Sequence, residues 1–267
     1  MGSYKPVNAV LRGLDVLAAV NKLKGRATIG ELYRETGHDK ATIVRMLETL
    51  IHAGFVFRDE NRGAYEVTGK TLLLCGGYDR HRAVGRIVAP IIAAFRNRVG
   101  WPSDVAIFDR DAMVVVETSR VPGQMFMIRD PGYRAPMLGT SLGLAYLAFT
   151  TPEERAGVLR YEAENSAPWN AVAREQAAAE SFLADIRAQG YATMHDEFSR
   201  IEYGRQISTV GVPILIGGVS VASVNVLYLR SALTREEAIR TTLPDLQACA
   251  AEIAAALAAG PGGITRP

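Results

Sequence analysis

Residues 27–54 read ATIGELYRETGHDKATIVRMLETLIHAG, and this stretch decides the fold of the N-terminal part of the chain. Thr28 stands where a helix N-cap belongs, with Glu31 three positions on as in a capping box, and Ile29, Leu32 and Tyr33 give the short helix behind it an apolar face. Thr36-Gly37 stops that helix. Asp39 then caps another helix in which Ile43, Met46, Leu47 and Leu50 recur at helical spacing and turn inward, leaving Lys40, Ala41, Thr42, Val44 and Arg45 outside. Gly54 closes it. Two helices joined by a Gly-containing turn form a helix-turn-helix, in which the first helix braces the second as its N-terminal residues enter the major groove of DNA. The same pair also occurs in proteins that never touch DNA.

The flanks narrow the choice. Upstream, Val10, Leu14, Leu17 and Val20 share one face of a first helix from about Asn8 to Leu23, ended by Gly25. Downstream, Phe55 to Phe57 and Tyr65 to Val67 alternate like strands around a polar tip, Arg58 to Gly63, so the hairpin reads as a wing with Arg58 and Arg62 on its tip. Leu72 to Leu74 begin a further helix. A polar stretch, Tyr78 to Arg82, leads into a helix from Ile87 to Val99, where Pro90 fits a first turn or a local break. A domain boundary near residue 83 makes 1–83 a winged helix-turn-helix and 84–100 a linker helix.

Beyond Gly100 strands and helices mix. Val105 to Phe108, Met113 to Thr118, Met125 to Ile128, Ile207 to Leu215 and Val219 to Leu229 read as strands, with Asp109-Arg110-Asp111 as a turn. Helices are expected at Ser141 to Phe149, after the Thr151-Pro152-Glu153-Glu154 start, at Arg174 to Gln189, and over the Ala-rich run Arg235 to Ala259. Residues 101–259 therefore form an α/β domain, the whole chain is α+β, and the tail 260–267 is expected to be disordered.

Composition sets outer limits. The chain has 267 residues and a formal net charge of +2, but residues 1–83 hold 13 Lys/Arg against 9 Asp/Glu, so the positive excess sits on the part that would meet phosphates. Only Cys75 and Cys249 are present, which excludes a disulfide framework and points to a reducing cytoplasm. The first residues lack the apolar core of a signal peptide and no stretch has the length of a membrane span, so no membrane association is expected.

Three enzyme-like motifs have to be weighed. Gly139-Thr140-Ser141-Leu142-Gly143 spells the nucleophile elbow of a serine hydrolase, with Asp185 and His195 downstream in the usual chain order. The elbow requires a buried strand immediately before it, and Arg134-Ala135-Pro136 interrupts that strand. Gly69-Lys70-Thr71 resembles the end of a P-loop, but Ala64 occupies the position of the first required glycine. His38, His52, His81 and His195 lack metal-ligand spacing. No catalytic residue, metal or cofactor is therefore expected; the competing non-enzymatic reading is a helix-turn-helix scaffold used for protein contacts.

Ala27 to Leu32, Thr36-Gly37, Lys40 to Thr42, Arg45 to Leu50 and Gly54 to Val56 resemble the IclR family of bacterial regulators. Arg12 to Leu17 is similar to the family's opening helix, Tyr133 to Gly143 to its effector-domain loop, and Gly190-Tyr191-Ala192 to a later landmark, so the likeness covers residues 8 to about 258. Ala41 and Leu144 stand where the family commonly has serine and lysine. The resemblance implies a winged-helix domain, a linker helix and a GAF-like α/β effector-binding domain, assembled as dimers or tetramers on palindromic DNA operators. Tyr4 to Val7, Arg12 to Leu14 and Leu229 to Thr234 are most similar to regulators of hydroxyphenylpropionate and other aromatic-acid catabolism. A DNA contact set of Lys40, Ala41, Thr42, Val44, Arg45, Arg58 and Arg62 follows.

For the effector, backbone N–H groups at Ser141 and Leu142 open a helix and suit a carboxylate, so a small organic acid is expected. Ser223, Asn225 and Leu227 share one strand face, where a buried Asn needs a partner: either a ligand oxygen or hydroxyl, or a backbone group or water. The family likeness adds Ile207 to Ser141, Leu142, Asn225 and Leu227. Met137 and Ser223 join on position, and His195 follows the Gly190 landmark, although a lone His is more often structural.

Overall fold

The computed structural model describes residues 5–75, 79–120 and 131–259; the expected strand Met125 to Ile128 and the tail 260–267 lie outside them. The chain divides into two compact units, residues 1–79 and 80–267.

In the first unit, α1 (Asn8–Leu23), α2 (Ile29–Thr36) and α3 (Lys40–His52) precede a hairpin of β1 (Val56–Asp59) and β2 (Ala64–Val67). Thr28 Oγ1 accepts from the N–H of Glu31, and Glu31 returns its carboxylate toward the N–H of Thr28, completing the capping box. Gly37 takes a left-handed φ of 69° and donates to the carbonyl of Tyr33, which ends α2. Asp39 caps α3 by accepting from the N–H of Thr42 at 2.8 Å. Val16, Val20, Leu32, Ile43, Leu47 and Val56 form the core, and the N–H of Tyr65 bonds to the carbonyl of Ala27, tying the hairpin to the helices. The first unit is a winged helix-turn-helix.

Two local readings need correction. Leu72 to Leu74 lie in a 3₁₀ segment, Gly69–Cys75, rather than at an α-helix start. Thr68 engages the N–H groups of Lys70 and Thr71 through its hydroxyl and carbonyl, and such short bonds tighten the chain into a 3₁₀ turn. Helix α4 (Asp79–Val99) starts within the stretch read as a polar connector, so Pro90 is in its interior. An interior proline costs about 3 kcal/mol. Burial of Val84, Val88, Ile91, Ile92 and Phe95 on one face offsets it, at roughly 1.5–3 kcal/mol for each large apolar side chain.

The second unit is built on a six-stranded antiparallel sheet. Its strands are β3 (Ser103–Asp109), β4 (Ala112–Thr118), β5 (Arg134–Pro136), β6 (Ala192–Thr193), β7 (Ile207–Ile216) and β8 (Val219–Leu229), in the order β5-β4-β3-β8-β7-β6. Helices α5 (Ser141–Phe149), α6 (Pro152–Glu164), α7 (Gln176–Gln189), α8 (Asp196–Tyr203) and α9 (Arg235–Ala259) complete it, with a 3₁₀ segment at Pro168–Arg174 before α7. Alternation along β7 and β8 divides the core. Val210, Val212, Ile214, Val224, Val226 and Tyr228 join the cluster of α4 and α9, while Leu138, Leu142, Leu147, Leu159 and Leu183 of the loop and helices α5 to α7 pack with Ala106 and Val115. Ile207 and Leu227 meet Met194, Phe198 and Tyr203 in a smaller cluster. Short β5, β6 and α8 were not foreseen.

Candidate DNA-contacting face and effector site

The outer face of α3 is set by its inner one. With Ile43 and Leu47 buried, Lys40, Ala41, Val44, Arg45 and Glu48 are exposed. Among the described residues neither Lys40 nor Arg45 has a side-chain hydrogen bond or ion pair, so both cations are uncommitted. Thr42 differs. Its hydroxyl donates to Asp39 Oδ2 at 2.8 Å while its N–H holds Oδ1, and these bonds keep the Asp39 carboxyl below its ordinary range.

The wing departs from its reading in one place. Arg58 is in strand β1, paired with Tyr65, and not on the tip, because Asp59 accepts from the N–H groups of Asn61 and Arg62 and the turn tightens around residues 60–63. Arg62 is on the tip and pairs with Asp59 at 3.5 Å and Glu66 at 3.4 Å; Arg58 lies 3.9 Å from Glu60. Both wing arginines are half- to mostly exposed, so the pairs they make within the wing are weak surface ones that a competing anion would displace readily. Lys70 of the P-loop-like triplet donates to the carbonyl of Ala53 and stands over the Phe55 ring, a structural role.

In the second unit the geometry converges on the N-terminus of α5. Thr140 caps the helix, its Oγ1 accepting from the N–H of Gly143 at 3.1 Å and donating to the carbonyl of Pro136. The N–H groups of Ser141 and Leu142, the first two of the helix, take no hydrogen bond among the described residues. Both residues are buried. Beneath them, Ser141 Oγ bonds to Thr209 Oγ1 at 2.6 Å, and Gly211 lets β7 approach so closely that a Cβ there would be 2.7 Å from the carbonyl oxygen of Ser141. Gly211 pairs with Asn225, and Thr209 with Leu227. Ser141, Leu142, Asn225, Leu227 and, at the end of β7, Ile207 are thereby brought to one side of the sheet.

Asn225 is where the two sequence-level possibilities part: its Oδ1 accepts from the N–H of Asp104 at 2.9 Å, so a backbone group is its partner there. This bond orients the amide and leaves Nδ2 as its donor end, without a protein hydrogen-bond partner among the described residues. Asp104 itself holds Arg120 in a two-pronged ion pair, with Nη2 to Oδ2 at 2.7 Å and both side chains buried, and accepts from Thr118. Neither residue was singled out from the sequence; nor was Thr209, although it lies one alternation step from Ile207. Met137 is buried with its backbone against Gly143, and Ser223 is buried between Pro213 and Ala106 in the sheet, its hydroxyl without a hydrogen-bond partner among the described residues. His195 caps α8, with Nδ1 accepting from the N–H of Glu197 and its own N–H donating to the carbonyl of Gly139.

These bonds leave no hydrolase triad. Ser141 Oγ is bound to Thr209, His195 Nδ1 to a backbone N–H, and Asp185 is exposed. The glycines of the motif serve packing instead: a Cβ at Gly143 would be 2.2 Å from the carbonyl oxygen of Met137, and one at Gly139 would be 3.0 Å from Phe198. Among the described residues no group of three or more His, Cys, Asp or Glu is placed to hold a metal, and no helix is long and apolar enough to cross a membrane.

Comparison with known proteins agrees with both halves. The chain matches the IclR helix-turn-helix domain over residues 9–60 and the bacterial transcriptional regulator IclR C-terminal domain over residues 78–255. It is 29% identical over 157 residues to the HTH-type transcriptional regulator TsaQ1/TsaQ2 of Comamonas testosteroni, a match covering 57% of this chain and 55% of that protein. It is 24% identical to the Pca regulon regulatory protein of Pseudomonas putida, over 92% of this chain and 83% of the relative. An IclR homolog complexed with 4-hydroxybenzoate, from Microbacterium hydrocarbonoxydans, shares the fold with a TM-score of 0.63 at 18% identity, over 94% of this chain and 100% of that one. With both characteristic domains present in order, the chain belongs to the IclR family of transcriptional regulators, and it is a regulator rather than an enzyme.

Proposed function

We propose that this regulator works in the cytoplasm as a homo-oligomer, a dimer or tetramer, that binds a palindromic operator and controls catabolic genes in response to a small organic acid, an aromatic carboxylic acid such as a hydroxybenzoate or hydroxyphenylpropionate. Residues 1–83 bind DNA, 84–100 link, and 101–259 bind the effector. The observation that carries the effector reading is the pair of unclaimed N–H groups at Ser141 and Leu142, at the positive end of α5. Asn225 offers its donor end and Leu227, Ile207 and Met137 apolar surface for a ring, with Ser223 and His195 at the margins. The names of two relatives, one a Pca regulon regulatory protein and one complexed with 4-hydroxybenzoate, favour the aromatic class.

On the DNA side, Lys40 and Arg45 supply uncommitted cations on α3, Ala41, Thr42 and Val44 complete its face, and Arg58 and Arg62 add charge from the wing. Self-association is supported by Val10, Leu11 and Leu14, exposed on α1, with Val7 just before its start; Val10 and Leu14, which their spacing puts on one face with Leu17 and Val20, lie instead on the side away from the buried Val16, Ala19 and Val20. The ligand and the operator are then coupled reciprocally.

Thermal unfolding against a panel of benzoates, hydroxyphenylpropionates, pyruvate and glyoxylate tests the effector. A ligand at 100 times its Kd raises stability by about 2.7 kcal/mol. Dose-dependent stabilisation by a hydroxylated aromatic acid, lost in Leu142→Pro, is expected; stabilisation by none of the acids refutes the carboxylate site.

A further inference from the structure

We propose that α3 reads thymine 5-methyl groups through Ala41 and Val44, so that the operator half-site carries thymines beside the base met by Arg45; this rests on the DNA-binding reading above. The argument is one of what the face has left to offer. An α-helix in the major groove recognises bases with donors, acceptors or methyl groups, and thymine alone presents a methyl there. On the outer face of α3 the hydroxyl protons are committed: that of Thr42 goes to Asp39 at 2.8 Å, and that of Thr49 to the carbonyl of Arg45 at 2.8 Å, so neither hydroxyl has a donor left for a base.

From Lys40 to Glu48, two cations, one carboxylate and two apolar side chains remain. Ala41 is exposed at the centre of the face, opposite the buried Ile43 and Leu47, and Val44 follows one turn later with 37% of its surface exposed. Neither contributes to the core of its unit. A β-branched residue kept on the outside of a helix gains nothing from propensity, and here it stands between Lys40 and Arg45, whose charges suit phosphate and guanine. Glu48, one turn beyond Val44, limits the stretch favourable to DNA to the first two turns. The pattern is a methyl-reading pair flanked by cations.

The test removes the methyl and nothing else. Duplexes enriched from a random-sequence pool by the full-length protein are resynthesised with uracil for thymine at single positions and their affinities measured at one fixed salt concentration. Each thymine met by Ala41 or Val44 should lose about fourfold in affinity on losing its methyl. Val44→Ser, on an exposed position, should abolish the sensitivity at one of the two and leave the other. Enriched sites that bind equally well with uracil throughout, while Arg45→Ala still weakens them, would overturn the inference and spare the DNA-binding reading. Absence of any binding by any duplex overturns both.

Discussion

The close approach of β7 to α5 can be tested by adding a single methyl group, Gly211→Ala. The new Cβ would be 2.7 Å from the carbonyl oxygen of Ser141 and 2.9 Å from both its carbonyl carbon and its Oγ, all inside any permitted contact. The obstruction is helix backbone rather than a flexible chain end, and residues 141–148 are buried throughout, so α5 has no free direction in which to yield. Overpacking of this kind costs about 1–3 kcal/mol. Lifting the helix also stretches the hydrogen bond between Ser141 and Thr209, worth about 1 kcal/mol.

Together these give a loss of roughly 2–4 kcal/mol, which for a domain of this size lowers Tm by about 5–15 °C. Urea and thermal unfolding followed by circular dichroism measure it directly. Thr209→Val separates the two contributions, since it removes the hydrogen bond without adding volume. The same Gly211→Ala variant should bind organic acids more weakly, because the N–H groups of Ser141 and Leu142 move with the helix. If it unfolds within about 0.5 kcal/mol of the parent, the limit for an inconsequential substitution, the packing argument fails and with it the claim that β7 positions the N-terminus of α5.

Three further outcomes follow from single groups. Glu162 is buried and accepts from Asn170 Nδ2 at 2.5 Å, and burial raises its carboxyl pKa, so its ionised form opposes folding: the stability it contributes is present below its unfolded pKa and lost as pH rises through the folded one. Glu162→Gln keeps an acceptor for Asn170 and should gain on the parent in urea midpoint between acid and neutral pH; an unchanged difference across that range would refute the assignment. The Asp39 carboxyl is held low by the N–H and hydroxyl of Thr42, so the stability it lends α3 is present above its unfolded pKa and lost as pH falls through the folded one. Asp39→Ala should remove that acid-side loss and lower operator affinity at neutral pH, read by pH-dependent unfolding and anisotropy. Burial pushes the Cys249 thiol up to about 12, so in Cys75→Ser the native protein should not react with a thiol reagent near neutral pH and should react promptly once unfolded.

How far the sequence could be read depended on the distance between partners. In the N-terminal unit the bounds of α1 to α3 were legible almost to the residue because the decisive bonds of the helix-turn-helix are local, Thr28 with Glu31, Gly37 with Tyr33 and Asp39 with Thr42, whereas the place of Arg58 and the 3₁₀ turn at Gly69–Cys75 were not. The long helices and strands of the second unit were legible by period, α5 and α9 at both ends. What escaped were the short strands β5 and β6, whose pairing partners are remote in sequence, the eight-residue α8, and the true start of α4, where five polar residues carry no apolar pattern. The candidate effector site divides along the same line. That Ser141 and Leu142 would present free N–H groups followed from a helix start, a local property. That Asn225 required a partner followed from alternation, but the partner is the N–H of Asp104, 121 positions away, and the Ser141 to Thr209 bond spans 68. No local rule reaches that far. The consequence is chemical as well as topological: the N–H of Asp104 takes one lone pair of Asn225 Oδ1 and orients the amide, so under the proposed effector site a ligand carboxylate or phenol oxygen would receive from Nδ2.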